Sequence, residues 1–174
     1  MSNPRLLTLL FVFCAAAPAL AQDPCASFKW DVQHERALFA STPRDMSAGR
    51  DLASAPVVTP DHLYELTLIS QDQIDYAIAP AKSSKPGASG GLARIAIAAA
   101  GTYRFSVDQS LWIDVAANGA LLVSKEFQGS AGCTAPHKIV EFDLPAGAQL
   151  TLQLSGGIGT KALLTLTSAP PPAP

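Results

Sequence analysis

Charged side chains are scarce in this sequence. Asp, Glu, Lys and Arg together make up 15% of the 174 residues, and the formal net charge is −2. No run of like charges occurs, whereas proteins that bind nucleic acid need a clustered basic face. The sequence therefore predicts no nucleic-acid partner. It predicts a surface rich in Ser, Thr, Gln and Ala, which fits an exported protein but selects no particular partner.

The sequence also lacks an apolar run suited to a permanent membrane anchor. The run at residues 6–13 is too short to span a bilayer. Arg5 precedes it, and Ala19-Leu20-Ala21 ends the stretch of small residues that follows. A basic residue, a short apolar core and an A-x-A site are typical of a secretory signal peptide. We predict that residues 1–21 are a signal peptide cleaved after Ala21, that no integral membrane segment remains, and that the protein is periplasmic or secreted.

Cysteine is rare as well, with three residues in the chain. Cys14 would leave with the signal peptide, so Cys25 and Cys133 remain. An even pair in an oxidising compartment favours a disulfide bond, and we predict one between these two residues. Two free thiols or a redox site is the alternative, but the C-x-x-C spacing of redox sites does not occur.

The chain does contain repeated alternation of apolar and polar residues. This period of two, seen at Tyr103, Phe105 and Val107, is typical of half-buried strands. Asn118-Gly119 lies between two such segments and predicts a type I′ hairpin turn, because both residues tolerate positive φ. Residues 92–100 fit either a helix or a strand, and their neighbours favour a strand. Other predicted strands lie at residues 28–32, 64–68, 74–78, 140–144, 150–154 and 162–167.

Short strands separated by turns predict an all-β fold. We expect a single small antiparallel β-sandwich, jelly-roll-like, with about 8 strands. The sandwich would span residues 22–167, and residues 168–174 would be a disordered proline-rich tail. Residues 33–40 predict one or two helical turns. Residues 41–56 and 79–91 lack periodicity and are predicted as long loops.

Three segments carry a resemblance to a known type of domain. They are Gly101-Thr-Tyr-Arg-Phe-Ser-Val, then Trp112-Ile-Asp-Val, and then Ala146-Gly147-Ala-Gln-Leu-Thr-Leu-Gln-Leu-Ser. Together they resemble secreted bacterial β-sandwich modules of the pre-peptidase C-terminal type, which are jelly-roll-like accessory domains. The resemblance implies an accessory role, because such modules usually stand beside a catalytic domain. No second domain is visible in this sequence.

A ligand site is predicted around three residues. Trp112 and Asp114 share one face of their strand, where an indole ring and a carboxylate hold a sugar by stacking and a hydrogen bond. The favoured alternative is that Trp112 belongs to the core, because both faces of this strand carry bulky residues. His137 lies in the elaborate loop at residues 127–138, which a disulfide through Cys133 would fix as a binding edge. The favoured alternative for this loop is a connector without a binding role.

Several short segments resemble catalytic motifs but lack the secondary structure or the spacing that those motifs need. Gly87-Ala88-Ser89-Gly90-Gly91 matches G-x-S-x-G, and Asp114 and His137 follow in the order of a hydrolase triad. That motif needs a strand before it and a helix after it, whereas a loop precedes it here and a strand is predicted to follow. The glycine-rich residues 156–161 lack the spacing of a phosphate loop and predict a hairpin instead.

The histidines are the remaining candidates for a site. His34-Glu35 begins like the zinc motif H-E-x-x-H, but Leu38 takes the place of the second histidine. His34, His62 and His137 would bind zinc or copper only if the fold brings them together. Histidines on the surface, or held by hydrogen bonds, are the favoured alternative. We assign no catalytic residue, metal ligand or cofactor from the sequence.

The favoured function is that of an exported, non-catalytic β-sandwich that binds a protein or a glycan in the cell envelope. One alternative is a structural or assembly component that pairs through an exposed sheet edge. The other alternative is a small metal-dependent enzyme.

Overall fold

The computed structural model of the protein describes residues 23–82 and 85–170. The predicted signal peptide and residues 171–174 of the predicted tail lie outside the described residues. Within them the fold is all-β, as predicted, with one α-helix, α1 (Gln33–Phe39), and two 3-10 helices (Pro24–Ser27 and Gln71–Gln73). None of the helices in this part of the chain is long and apolar enough to cross a membrane.

The strands form two sheets. In spatial order, the first sheet contains β1 (Arg44–Ser47), β3 (Leu63–Thr67), β12 (Lys161–Ser168), β6 (Gly101–Val107), β10 (Lys138–Leu144) and β9 (Glu126–Gly129). The second sheet contains β2 (Val57–Val58), β5 (Ser89–Ile95), β11 (Leu150–Gly157), β7 (Trp112–Ala117) and β8 (Ala120–Leu121), and β4 (Ile69–Ser70) also pairs with β5.

Eight of the strands pair as a long hairpin folded over on itself. Along the chain they are β3, β5, β6, β7, β8, β10, β11 and β12. The first pairs with the last, the second with the seventh, the third with the sixth and the fourth with the fifth, all antiparallel. In addition, β12 pairs with β6 and β11 with β7. This is the strand order of a jelly roll.

Two details of the predicted fold are wrong. The described residues form twelve strands instead of about eight, because the prediction missed β1, β2, β4 and β9. In addition, β1 runs parallel to β3 and β2 runs parallel to β5, so both sheets are mixed rather than purely antiparallel. The missed strands have two to four residues, which is too short for a period-two pattern to stand out. One of them, β1, lies inside the predicted loop at residues 41–56.

Apolar side chains from both sheets meet in one core. On the first sheet Phe105 and Phe142 lie edge to face, with their ring centroids 5.9 Å apart. Leu152 and Val115 face them from the second sheet's strands in the same core cluster. The alternation in the sequence places these residues on the inner faces. Asn118 and Gly119 connect β7 to β8 with φ of 51° and 79°, which confirms the predicted turn.

The N-terminal segment covers the outer face of the first sheet. Phe28 and Val32 form a second apolar cluster with Cys133 and with Ile139 of β10, and α1 packs against β12. The strand predicted at residues 28–32 is therefore wrong. Its alternation arises because every second side chain faces the sheet while the intervening ones face solvent.

A second covering segment, residues 74–82, lies on the outer face of the second sheet. The Tyr76 hydroxyl donates to the Leu154 carbonyl at 2.8 Å, and Gln153 Nε2 donates to the Ile78 carbonyl at 3.1 Å. Burial, together with the nearby charge of Asp114, raises the pKa of Tyr76. The strand predicted at residues 74–78 is also wrong, because the segment forms no backbone ladder: it is held by these side-chain hydrogen bonds and by a backbone hydrogen bond from Asp75 to the Arg50 carbonyl. At the other end of the fold, β12 extends to Ser168, one residue into the predicted tail.

The predicted disulfide is present. Cys25 and Cys133 are joined with their Cα atoms 5.0 Å apart and 108 positions apart in sequence. The bond fastens the N-terminal segment to the loop before β10, and Ser130 Oγ supports the same junction by donating to the Pro24 carbonyl at 2.7 Å. A closed loop of this length removes a large part of the entropy of the unfolded chain.

Replacing both cysteines by serine (Cys25→Ser/Cys133→Ser) should lower the free energy of unfolding by about 2–5 kcal/mol. Denaturant unfolding of the wild type and the double variant measures this difference. Reduced wild-type protein should unfold at the denaturant concentration of the variant. An unchanged midpoint in both comparisons would show that the bond contributes nothing to stability.

A buried ionic cluster lies beneath the N-terminal segment. Arg104 of β6 is 5% exposed, and its Nε donates to Glu141 Oε1 at 2.9 Å. Its Nη1 lies 3.4 Å from Glu35 Oε1 and donates to the Asp31 carbonyl at 3.0 Å. Thr167 Oγ1 donates to the same Glu35 oxygen at 2.9 Å. One guanidinium therefore neutralises two buried carboxylates, one from α1 and one from β10.

Arg104→Met should destabilise the protein by about 3–5 kcal/mol, because it leaves two carboxylates buried without a cation. Adding Glu35→Gln and Glu141→Gln should restore part of that loss. The matched control is Lys29→Met, which removes an exposed ion pair with Glu126 and should cost less than about 1 kcal/mol. Denaturant unfolding compares all variants. Equal effects of Arg104→Met and Lys29→Met would contradict the role given to the buried cluster.

Candidate functional site

The outer face of the second sheet carries Trp112 and Asp114. Both residues belong to β7 and alternate with inward-facing Ile113. Trp112 Nε1 donates to Asp114 Oδ1 at 2.9 Å, and the backbone N–H of Ala81 donates to Oδ2 at 3.0 Å. Asp114 is 7% exposed and Trp112 is half-buried. The carboxylate therefore fixes the indole ring and ties the covering segment to the same point.

Two lysines approach the indole ring. Lys82 Nζ lies 5.2 Å and Lys138 Nζ 5.1 Å from the Trp112 ring centroid, a distance that permits cation–π attraction. Lys138 Nζ also donates to the Leu111 carbonyl at 2.8 Å. Partial burial lowers the pKa of Lys138, the charge of Lys82 lowers it further, and the carboxylate of Asp114 opposes both. The two ammonium groups are thus held close enough to repel each other.

These residues line a cleft of about 520 Å³. A third lysine, Lys85, lies in its wall, and a second cleft of about 490 Å³ shares Lys85, Pro86, Gly87 and Ala88 with it. Ser155 of β11 is paired with Trp112 across the sheet and also lines the first cleft. Ser155 is 1% exposed, and within the described residues its Oγ has no hydrogen-bond partner.

The glycines after Ser155 shape this wall. Gly156 has φ of 73° and belongs to a register shift in β11, between Leu154 and Gly157. A Cβ on Gly157 would lie 2.6 Å from Ser89 Oγ, so glycine allows β11 and β5 to approach closely there. The hairpin predicted at residues 156–161 is wrong, because these residues connect β11 of the second sheet to β12 of the first sheet, and the two strands do not pair with each other. This connection contributes backbone to the cleft.

The three predicted site residues occupy related positions. Trp112 and Asp114 lie together, and the alternative that Trp112 belongs to the core is not what the fold shows. His137 lies at the margin of the cleft: its Nε2 is 3.4 Å from Oγ of Ser110, a lining residue, and its Nδ1 is 3.2 Å from the Cys133 carbonyl. The lysines were missed, because Lys82 lies in a segment without periodicity and Lys138 begins a strand far away in sequence.

The G-x-S-x-G spelling does not form a catalytic triad. Ser89 begins β5, and its Oγ donates to the Gly159 carbonyl. Asp114 is engaged by Trp112 and Ala81, and His137 contacts Ser110 and Cys133. A strand rather than a helix follows the serine, so the prediction against a nucleophile elbow agrees with the geometry.

The histidines contact separate partners. His34 Nε2 lies 2.8 Å from Asp61 Oδ1, and His62 Nδ1 lies 2.8 Å from the Pro60 carbonyl. Within residues 23–82 and 85–170, no group of three or more His, Cys, Asp or Glu side chains is arranged to hold a metal ion. Glu35 of the incomplete zinc motif is instead buried against Arg104.

Comparisons with protein-family models, with curated proteins and with solved structures found no significant match for this chain. The resemblance to the pre-peptidase C-terminal type therefore stays a prediction.

The pKa of Lys138 should respond in opposite directions to its two neighbours. Lys82→Met removes a like charge and should raise it, whereas Asp114→Asn removes the opposing carboxylate and should lower it. An NMR titration of the lysine side chains measures both shifts. Lys161, whose pKa is raised by a hydrogen bond to Glu65, should be unchanged in both variants and serves as an internal control.

The lowered pKa of Lys138 makes the stability of the protein depend on pH. The folded protein releases the Lys138 proton before the unfolded chain does, so stability should rise with pH between the lowered value and the ordinary value of 10.5. Lys82→Met should flatten this rise. A titration in which neither variant moves Lys138 would contradict the proposed contacts around Trp112.

Proposed function

We propose that this protein is an exported, non-catalytic β-sandwich module that binds a glycan of the cell envelope in the cleft at Trp112. The observation that carries the proposal is the fixed indole ring in a concave site, with its Nε1 held by Asp114 at 2.9 Å. Aromatic rings with polar neighbours in a cleft are typical of small-molecule and sugar sites. A protein partner usually needs a broader contact surface.

Export and the absence of catalysis are parts of the same proposal. The Cys25–Cys133 bond supports an oxidising compartment such as the periplasm or the medium. Asp114 supports a binding role, because its two oxygens accept hydrogen bonds from Trp112 and Ala81 and it is thus poorly placed to act as a base. The accessory role implied by the resemblance agrees with a glycan-binding module.

A second function, assembly through a sheet edge, is favoured by β9. This strand lies at the edge of the first sheet. Phe127 on it is 67% exposed, and Val123 just before it is 90% exposed. Edge strands with exposed apolar residues are prone to pair with other chains. For a small metal-dependent enzyme, the third hypothesis, the described residues offer no supporting cluster of ligands.

Binding of the mature protein to a glycan array tests the main proposal. Trp112→Ala should weaken binding by about 2 kcal/mol or more, as loss of a central aromatic residue does at many interfaces. Trp112→Phe should retain part of the affinity, because it keeps an aromatic face but loses the hydrogen bond to Asp114. The matched control is Phe127→Ala, which removes an exposed aromatic residue on the other sheet and should leave glycan binding unchanged.

Light scattering on the same variants separates the two functions. A monomer that binds glycans through Trp112 supports the proposal. An oligomer that dissociates in Phe127→Ala, with no glycan bound by the wild type, would favour assembly through β9 instead.

A further inference from the structure

The lysines of this protein divide into two groups of three. Lys29, Lys125 and Lys161 lie outside the cleft, and each forms an ion pair, with Glu126, Asp143 and Glu65 respectively. Lys82, Lys85 and Lys138 line the cleft, and none of them forms an ion pair among the described residues. In a chain with a formal net charge of −2, the unpaired ammonium groups are thus concentrated in one concave site.

The charge of Asp114 acts on Lys138 but offsets only one of the three positive charges in this group. Asp114 is buried, and its oxygens accept hydrogen bonds from Trp112 Nε1 and from the Ala81 backbone. No lining residue of the cleft is acidic. Like charges held near each other in a partly desolvated site repel, and a bound anion relieves that repulsion. The site therefore has the electrostatic form of a receptor for an anion.

The positions of the lysines also decide between neutral and acidic sugars. Lys82 and Lys138 each place an ammonium group about 5 Å from the centre of the Trp112 ring. A neutral sugar that stacks on this ring gains no charge interaction from these groups. A sugar that carries an acidic group uses the ring and both cations at once, because its anion binds the ammonium groups beside the stacked pyranose.

The wall of the cleft supplies a further polar group. Ser155 is buried and adjacent to Trp112 across the sheet, and its Oγ has no partner within the described residues. A buried hydroxyl without a partner is costly unless a ligand or water satisfies it. Since Ser155 lines the cleft and is paired with Trp112 across the sheet, its hydroxyl is a candidate contact for a ligand that sits on Trp112.

We infer that the cleft binds an acidic saccharide, a sugar bearing a carboxylate or sulfate group, with Lys82 and Lys138 on the anion, Trp112 under the ring and Ser155 on an adjacent oxygen. This inference rests on the proposed glycan-binding function and narrows it to one class of ligand. Lys85 lies at the junction of the two clefts and adds a third positive charge to the wall of the first cleft. Screening by salt should weaken the interaction, since these lysines are partly exposed.

Short dextran oligomers in three forms test the inference: unmodified, carboxymethylated and sulfated. Isothermal titration with the mature protein should give binding of one or both acidic forms and binding of the neutral form weaker by about tenfold or more, the scale of a charge-assisted hydrogen bond. Lys138→Met and Lys82→Met should each reduce the affinity for the acidic forms. Lys125→Met, which removes a paired lysine away from the cleft, is the matched control and should bind like the wild type.

An oligoacrylate of similar length separates an acidic sugar from any polyanion. It should bind more weakly than the acidic dextrans and should be insensitive to Trp112→Ala and to Ser155→Ala, whereas the acidic dextrans should lose affinity in both variants. Oligoacrylate binding as strong as that of the acidic dextrans would overturn the inference in favour of an unspecific anion site.

The remaining outcomes separate a failure of this inference from a failure of the proposed glycan-binding function. Equal binding of neutral and acidic dextrans, lost in Trp112→Ala and unaffected by the lysine substitutions, would overturn the inference and leave a glycan-binding module. Absence of binding to all three dextrans would overturn the inference. If the glycan array were also negative, the proposed function would fail with it.

Discussion

The constraint on which this fold depends is that the central strands of both sheets are buried on both faces over much of their length. The inner faces share one apolar core, as in other two-layer β proteins. The outer faces are not left to solvent: Arg104 and Thr167 on the first sheet, and Gln153 and Ser155 on the second, are all nearly inaccessible. Each outer face therefore requires a covering segment, and each covering segment must satisfy the polar groups that it buries.

The two faces solve this problem with different chemistry. On the first sheet, a disulfide and a buried cluster around Arg104 fasten residues 24–39, and the helix in this segment contributes Glu35. On the second sheet, residues 74–82 are held by single hydrogen bonds from Tyr76, from Gln153 and from the Ala81 backbone, and Asp75 is tied through its backbone N–H to the Arg50 carbonyl. The first arrangement is covalent and charged, whereas the second is neutral apart from Asp114. The candidate site lies at the end of residues 74–82, the covering segment that no covalent bond holds in place.

The sequence predicts the central strands well and their covers poorly. Alternation around Tyr103, around Phe142 and along residues 150–154 marks real strands, because each inner face is apolar. Residues 28–32 and 74–78 show the same alternation, since an extended segment that lies flat on a sheet also buries every second side chain. Only backbone pairing distinguishes the two cases, and backbone pairing leaves no direct trace in side-chain order. Very short strands such as β2 offer too few residues for any period to be seen.

The sequence likewise predicts one part of the candidate site and not the other. That Trp112 and Asp114 share a face follows from their spacing on one strand, so the sequence alone brings them together. The convergence of Lys82 and Lys138 on the ring depends on the path of residues 74–82 and on the pairing of β10 in the opposite sheet. No pattern within one segment encodes such a meeting. The disulfide was predictable for a different reason: with Cys14 assigned to the predicted signal peptide, only one pairing of the other two cysteines remains.

Asp114 takes part both in covering the outer face of the second sheet and in forming the candidate site. Its Oδ2 accepts from the Ala81 backbone, which ends the covering segment, and its Oδ1 accepts from Trp112, which forms the floor of the cleft. The same carboxylate opposes the lowering of the Lys138 pKa. The buried carboxylate of Asp114 thus holds the covering segment on the outer face of the second sheet, orients the Trp112 indole and stabilises the ammonium group of Lys138. Lys82 follows Ala81 directly, so the hydrogen bond that fixes the covering segment also brings Lys82 close to the Trp112 ring. The cleft therefore results from the same packing that covers the outer face of the second sheet.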